Sequence, residues 1–287
     1  MCETGNGGMN IQSRPMKKFS AVILAGDRIG CGFAQELGVE RKVLAPLAGR
    51  PMLLYVLDAI TLSDCVDTVY VVANRIADIE EDPAVRAYVK SCPEVKISFE
   101  EGCTSPSRSV AKIMQDIGIG FPMLLTTGDH PLLTAETVRE FCKTVMVSSK
   151  DGHTDFFAGL ATRTSIRAMF PDVRRTFYVL NGEGYSGSNL FALMTPVARD
   201  VVVQWGNLDS NRKKAWRMVA GFGPGAIFRY LFGRLSLANA MQALTRSLGA
   251  EVDAVILSDG KASMDVDRRE HYDIAERLLM SEKKTPA

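Results

Sequence analysis

Short apolar runs of strand length alternate with longer stretches of helical periodicity through the first half of this chain, and that alternation restricts it to one broad class of fold. The apolar runs fall at residues 20–24, 67–73, 95–99 and 123–127, separated by helical patterns at 51–60, 83–90, 107–117 and 134–147. Strands alternating with helices in this way pack as a parallel sheet with crossover helices on its faces. Pro51 stands where a first helical turn tolerates proline, because the N–H it lacks has no intrahelical partner there. The second half is less regular, with strands expected at 155–161, 177–180, 190–193 and 252–257 and helices at 196–204, 212–248 and 270–280. The expectation is an α/β fold with a doubly wound, mostly parallel but mixed sheet.

Composition then removes several functions. The 34 Lys and Arg against 33 Asp and Glu leave a formal net charge of +1, and no run of five basic residues concentrates it. A polyanion gains no general or local attraction, so nucleic acid is excluded as a partner. The six cysteines (Cys2, Cys31, Cys65, Cys92, Cys103, Cys142) form no CxxC pair and have no histidine at metal-ligand spacing. That excludes a zinc knuckle or a dithiol centre and fits a reduced, cytoplasmic compartment. Residues 1–18 lack the apolar run of a secretory signal and read as a flexible lead. The most apolar later stretch, 218–232, is interrupted by Gly221, Gly223, Pro224, Gly225 and Arg229, so no transmembrane segment is expected. With 46% hydrophobic residues, the 287-residue chain can build one large core. A single domain is expected over residues 19–281, with a helical insertion at about 210–248 and a tail at 282–287.

The first strand runs into Leu24-Ala25-Gly26-Asp27-Arg28-Ile29-Gly30, and parallel α/β sheets collect ligands at the carboxyl ends of their strands. Gly26 and Gly30 let backbone N–H groups turn inward as an anion-binding nest, with Arg28 adding a fixed positive charge. Read alone, the same residues are a tight strand-to-loop turn. The segment is neither GxGxxG nor GxxxxGK(S/T), so the dinucleotide and P-loop readings lose their main support. Its continuation is Lys42-Val43-Leu44-Ala45-Pro46-Leu47-Ala48-Gly49-Arg50-Pro51-Met52. Together these segments resemble the nucleotidyltransferases of the sugar-phosphate and MobA-like group. That group carries a Leu-Ala-rich glycine loop ending in Arg, then Lys-x-Leu-x-Pro-(hydrophobic)-x-Gly-(Lys/Arg)-Pro-Met. The resemblance implies a Rossmann-like, GT-A-like fold, and it makes Lys42 the residue that binds nucleotide phosphates and steadies charge at the α-phosphorus. One departure lies in the glycine loop, where Asp27 alone separates Ala25-Gly26 from Arg28. The missing donors would come from Gly30 to Gly32, and the Asp27 carboxylate needs a cation or hydrogen bonds to offset it.

Four further segments extend the resemblance. Gly102-Cys103-Thr104-Ser105-Pro106-Ser107-Arg108-Ser109-Val110 is by itself a Ser-rich loop with helix caps. It resembles the Gly-Gly-x-x-Arg-x-x-Ser-Val base-binding segment of methylerythritol phosphate cytidylyltransferase, with Gly102, Ser109 and Val110 in register and Pro106 in place of the Arg. Thr126-Thr127-Gly128-Asp129-His130-Pro131 resembles the family's metal-binding strand end, with Asp129 as the carboxylate, whereas His130 has no matching ligand and reads as structural. Met264-Asp265-Val266-Asp267-Arg268-Arg269 resembles the family's approach to its final helix. Either Asp265 or Asp267 could complete a metal site, the other capping the helix. Tyr185-Ser186-Gly187-Ser188-Asn189-Leu190-Phe191 resembles the strand that lines the acceptor side, which makes Asn189 an acceptor contact. Arg163, Arg174 and Arg175 lie in the same central region, where an acceptor phosphate needs bidentate donors; Arg175 is assigned that role. Trp216, Phe222, Phe228, Tyr230 and Phe232 read as core or as the wall of an apolar acceptor site.

The resemblance therefore implies a Mg²⁺-dependent nucleotidyltransferase whose partners are an NTP, with CTP favoured, and a phosphorylated small-molecule acceptor. Lys42 and Arg28 are the expected catalytic groups. Leu24, Ala25, Gly26, Gly30, Gly102, Ser109, Thr127 and Gly128 are the expected nucleotide contacts, and Asp129 with Asp265 or Asp267 the metal ligands. A molybdenum-cofactor nucleotidyltransferase, with a pterin phosphate as acceptor, is the alternative within the class. A non-catalytic nucleotide-binding regulatory protein is the alternative outside it, because fold alone does not imply function. A homodimer is compatible with either and dictated by neither.

Overall fold

The structure is a computed structural model that describes residues 17–27, 32–149, 152–208 and 234–284. The first strand, β1 (Phe19–Leu24), lies at the centre of the sheet. A short helix α1 (Gly32–Glu36), a 3-10 turn at Lys42–Leu44 and a small antiparallel ladder of β2 (Pro46–Leu47) with β3 (Arg50–Pro51) lead into α2 (Met52–Thr61). Next come β4 (Val66–Ala73), α3 (Ala77–Glu80), α4 (Pro83–Ser91), β5 (Lys96–Glu101), α5 (Pro106–Asp116), β6 (Met123–Thr127) and α6 (Ala135–Ser148). The second half holds β7 (Phe156–Thr162), α7 (Arg163–Met169), β8 (Tyr178–Leu180), β9 (Glu183–Leu193) and α8 (Ala198–Leu208). It closes with α9 (Leu237–Leu248), β10 (Val252–Leu257), a 3-10 turn at Gly260–Ser263 and α10 (Arg269–Lys284).

The first-half strands and helices stand within two residues of their expected ends. The caps explain this: Asp82 accepts hydrogen bonds from Ala84 N and Val85 N ahead of Pro83, and Thr134 accepts from Thr137 N at the start of α6. The strand expected at 190–193 is only the last part of the 11-residue β9. Its first half is rich in Gly and Ser, which carry no strand propensity, and pairing with β7 imposes the conformation instead. Of the helix expected at 212–248, Leu237–Leu248 is observed as α9; residues 209–233, with Trp216, Phe222, Phe228, Tyr230 and Phe232, lie outside the described residues.

The eight-stranded sheet runs β10-β7-β9-β6-β1-β4-β5, with β8 on β9. β9 is antiparallel to β6 and β7, and the other main pairs are parallel. Leu53, Val56, Leu57 and Ile60 of α2 and Phe141 and Val145 of α6 cover one face, in one cluster with Ile23, Val69 and Val71. Val110 and Ile113 of α5 and Val201 and Val202 of α8 cover the other, against Val22, Val72 and Leu125. Each such side chain contributes roughly 1.5–3 kcal/mol on burial, which makes the sheet a rigid platform. From β1 the chain builds outward through β4 to β5 and then returns to β6 on the opposite side of β1. The order reverses at β1, and the crevice at the carboxyl ends of β1, β4 and β6 is where such sheets bind ligands.

Candidate active site

At that edge three loops meet. Gly128 N donates to Leu24 O at 2.8 Å and Ala25 N donates to Val72 O at 2.8 Å, so the glycine loop is fastened to both neighbouring strands. Gly26 lies so close to the β4 exit that a Cβ would stand 3.0 Å from Asn74 Oδ1. Gly102 N donates to Ala73 O at 2.9 Å, and a Cβ on Gly102 would stand 3.0 Å from Ser109 Oγ. That hydroxyl accepts from Cys103 N at 2.8 Å and reaches the carbonyls of Cys103 and Ser105, pinning the loop to α5. Leu24, Ala25, Gly26, Gly102, Ser109, Thr127 and Gly128 therefore line one edge; Arg28 and Gly30 lie outside the described residues.

Lys42 opens the 3-10 turn at Lys42–Leu44, and its backbone N–H donates to Asp27 Oδ2 at 2.8 Å. The offset that Asp27 requires is thus supplied by a hydrogen bond. Burial still pushes the Asp27 carboxyl above its ordinary range, against the opposing pull of that bond and of Lys42. Among the described residues its Oδ1 is buried without a partner. The Lys42 ammonium, 11% exposed, lies 2.7 Å from Asp129 Oδ2 and 2.8 Å from Asp267 Oδ1. Burial alone would weaken the ammonium, but the two carboxylates hold it protonated well above the usual lysine range. Burial likewise opposes the Asp129 charge, and Lys42 overrides it, holding the carboxyl below the usual carboxylate range. Asp267 is held down in the same way, Lys42 outweighing the cost of burial.

The two carboxylates come from distant segments joined by backbone. Val266 N donates to Asp129 O at 2.9 Å, and Thr127 Oγ1 donates to Asp129 Oδ1 at 2.6 Å, so Thr127 uses its hydroxyl to aim the carboxylate. The structure separates the pair that the sequence leaves equivalent. Asp267 accepts from Lys42, the same ammonium that Asp129 holds, whereas Asp265 accepts from Arg175 Nη1 at 3.0 Å. Among the described residues no group of three His, Cys, Asp or Glu is arranged to hold a metal. What exists is a two-carboxylate set closed on one cationic nitrogen.

On β9, Asn189 Nδ2 lies 2.9 Å from His130 Nε2, and His130 Nδ1 lies 3.1 Å from Ala262 O. A carbonyl only accepts, so Nδ1 carries the proton and Nε2 accepts from Asn189. His130 is thus a buried strut that fixes the Asn189 carboxamide, while Asn189 itself adopts φ +50. Arg175 sits beside Asp265, Arg174 is exposed, and the Arg163 guanidinium lies 5.2 Å from the Phe177 ring centroid and packs on Gly184. Sequence reasoning missed Asn74, whose carboxamide stands against Gly26, and Arg41. No local signal marks either, because only the convergence of strand ends gives them a place in the site.

No helix of the described residues is long and apolar enough to cross a membrane. No curated protein sequence matches the chain. Among solved structures, a transferase described as hypothetical from Thermus thermophilus is 25% identical, covers 89% of this chain and 99% of its own, and superposes with a TM-score of 0.68. The 4-diphosphocytidyl-2C-methyl-D-erythritol synthase of Anaerococcus prevotii is 14% identical over 92% of this chain and 99% of its own, at 0.53. A CMP:2-keto-3-deoxy-manno-octonic acid synthetase solved with CTP is 16% identical over 93% of this chain and 100% of its own, also at 0.53. These last two share the fold, a GT-A-like α/β architecture. The profile of the MobA-like NTP transferase domain matches residues 21–170, the part that carries the glycine loop, Lys42, the Gly102 loop and Asp129, and the chain therefore belongs to that family of nucleotidyltransferases.

Proposed function

We propose that this nucleotidyltransferase moves a nucleoside monophosphate from an NTP, with CTP preferred, to a phosphorylated small-molecule acceptor in a Mg²⁺-dependent reaction. The acceptor phosphate oxygen attacks the α-phosphorus, the bond from that phosphorus to the bridging oxygen breaks, and pyrophosphate leaves. The nucleophile is already anionic, so no strong base is needed and catalysis rests on positioning and charge neutralisation. The observation that carries this reading is the Asp129–Lys42–Asp267 array, with Nζ at 2.7 and 2.8 Å from the two carboxylates. Two carboxylates that share their remaining positions with substrate phosphates are the donor set a hard divalent cation accepts, so Asp129 and Asp267 fit Mg²⁺. When bound, the ion would neutralise charge on the phosphate oxygens. Lys42 and Arg28 supply fixed positive charge to the same oxygens, and Gly26 and Gly30 supply N–H donors. Asn189 and Arg175 orient the acceptor, the latter held in place by Asp265.

The preference for CTP draws support from the Gly102–Val110 loop and from two structural neighbours, one solved with CTP and one a diphosphocytidyl synthase. A molybdenum-cofactor nucleotidyltransferase is the second reading, favoured by the MobA-like profile match. Pyrophosphate release with Mg²⁺ and each of CTP, UTP, GTP and ATP, against pools of sugar, polyol, isoprenoid-precursor and pterin phosphates, tests both. Release with CTP and a non-pterin phosphate, abolished by EDTA, is the expected result. Release with a pterin phosphate alone would move the assignment to the second reading, and silence with every pair would overturn both.

A further inference from the structure

Arg41 precedes Lys42 in the chain. In the fold its side chain is 4% exposed. Nε donates to Asp78 Oδ2 at 2.9 Å, and Nη2 donates to the carbonyls of Asn74 and Arg75, the latter at 3.2 Å. Those carbonyls belong to the loop leaving β4. The same loop is gripped from its other side by Glu101, which accepts from Arg75 N at 2.8 Å and Ile76 N at 3.0 Å. Taking a guanidinium out of water is expensive, and apolar residues of similar volume usually stabilise a fold as well or better. The planar fork does what an apolar side chain cannot, which is to hold two successive carbonyls and a carboxylate in one fixed arrangement. Through Arg41 and the backbone N–H of Lys42 bonded to Asp27, the turn at Lys42–Leu44 is tied to both the β4 exit and the glycine loop.

We propose that Arg41 is a positioning residue for the nucleotide: it sets where the Asn74–Arg75 loop stands against Gly26, and so fixes the width of the slot between the ends of β1, β4 and β5. This rests on the reading of that slot as the nucleotide site. The test compares wild type, Arg41→Met and Arg41→Lys by steady-state kinetics, calorimetric CTP binding and thermal unfolding. Arg41→Met should raise KM and Kd for the NTP about tenfold, the scale of a lost charged hydrogen bond, while kcat at saturation stays within about twofold. Millimolar guanidinium ion should restore part of that affinity in Arg41→Met and leave wild type unchanged. Arg41→Lys, which keeps the charge beside Asp78 but cannot span both carbonyls, should show the same split and carries the test if Arg41→Met does not fold. A lower unfolding temperature with KM and Kd unchanged, or a fall in kcat at constant KM, would overturn the proposal. Absence of NTP binding by the wild-type chain is a different failure, because it removes the nucleotide reading itself and the role of Arg41 with it.

Discussion

Removing the ammonium at position 42 leaves Asp129 and Asp267 close together with no cation between them, and the consequences differ for turnover and for stability. For turnover, one preorganised charge contact is worth on the order of 10²–10³ in kcat. Lys42→Met and Asp129→Asn should each lose that much while keeping a wild-type far-ultraviolet circular dichroism spectrum, and turnover within threefold of wild type would take that residue out of the mechanism. For stability, the sign follows from the direction of the shift. The wild-type Asp129 carboxyl is held below its ordinary range, so its contribution is complete above about pH 4 and is lost only as acid carries the pH down through the lowered value. Without Lys42, burial is left to push the same carboxyl upward. The folded variant then binds a proton more tightly than the unfolded chain, and stability should rise as pH falls from 7 towards 5. Asp267 contributes less because 58% of its side chain is exposed and solvent screens it. Metal-free melting curves of the two proteins across this range, read as a difference, check the prediction; parallel curves would mean that Lys42 does not govern Asp129.

The placement of Asp265 and Asp267 depends on how closely α7 lies against the 3-10 turn at Gly260–Ser263. A Cβ on Gly260 would stand 2.4 Å from Ser165 O and 2.8 Å from Ile166 Cα, atoms of a backbone that cannot swing aside. Gly260→Ala should therefore destabilise by about 2–3 kcal/mol in urea unfolding and lower turnover by shifting the carboxylate loop. Gly187→Ala, with nothing within 4 Å of its new methyl, should leave stability within about 0.5 kcal/mol. Equal effects of the two substitutions would refute close packing as the cause. Contacts of this kind mark the limit of sequence reading. The strands leading to Gly26 and Asp129 were legible because apolar runs and turn residues are local signals. The first half of β9, written in Gly and Ser, was not, since its conformation comes from β7. Lys42 was legible through its motif, but the partition of Asp265 to Arg175 and Asp267 to Lys42 depends on a 90-residue and a 225-residue separation closed only by the fold. Arg41 carries no motif, and its partners lie 33 to 37 residues away.

Across the whole molecule, the proposed nucleotide site touches the ends of β1, β4, β5 and β6 and the segment before α10, so a ligand bridging them should stabilise the domain as a unit. A ligand that binds only the folded state adds RT ln(1 + [L]/Kd), about 2.7 kcal/mol at one hundred times Kd. For a chain of this size that corresponds to a rise of roughly 5 °C in melting temperature. Mg²⁺ with CTP should produce such a rise, and a larger one than UTP, GTP or ATP at equal concentration. The rise should shrink sharply in EDTA, because Lys42 alone offsets only part of the negative charge that Asp129 and Asp267 then present to the triphosphate. Lys42→Met should reduce it further, since the remaining cation at that point is gone. A CTP shift that EDTA leaves untouched would place the metal outside the binding step and leave Lys42 as the phosphate clamp. Equal shifts from all four NTPs would place the binding energy in the phosphates and strip the Gly102–Val110 loop of its role in choosing the base.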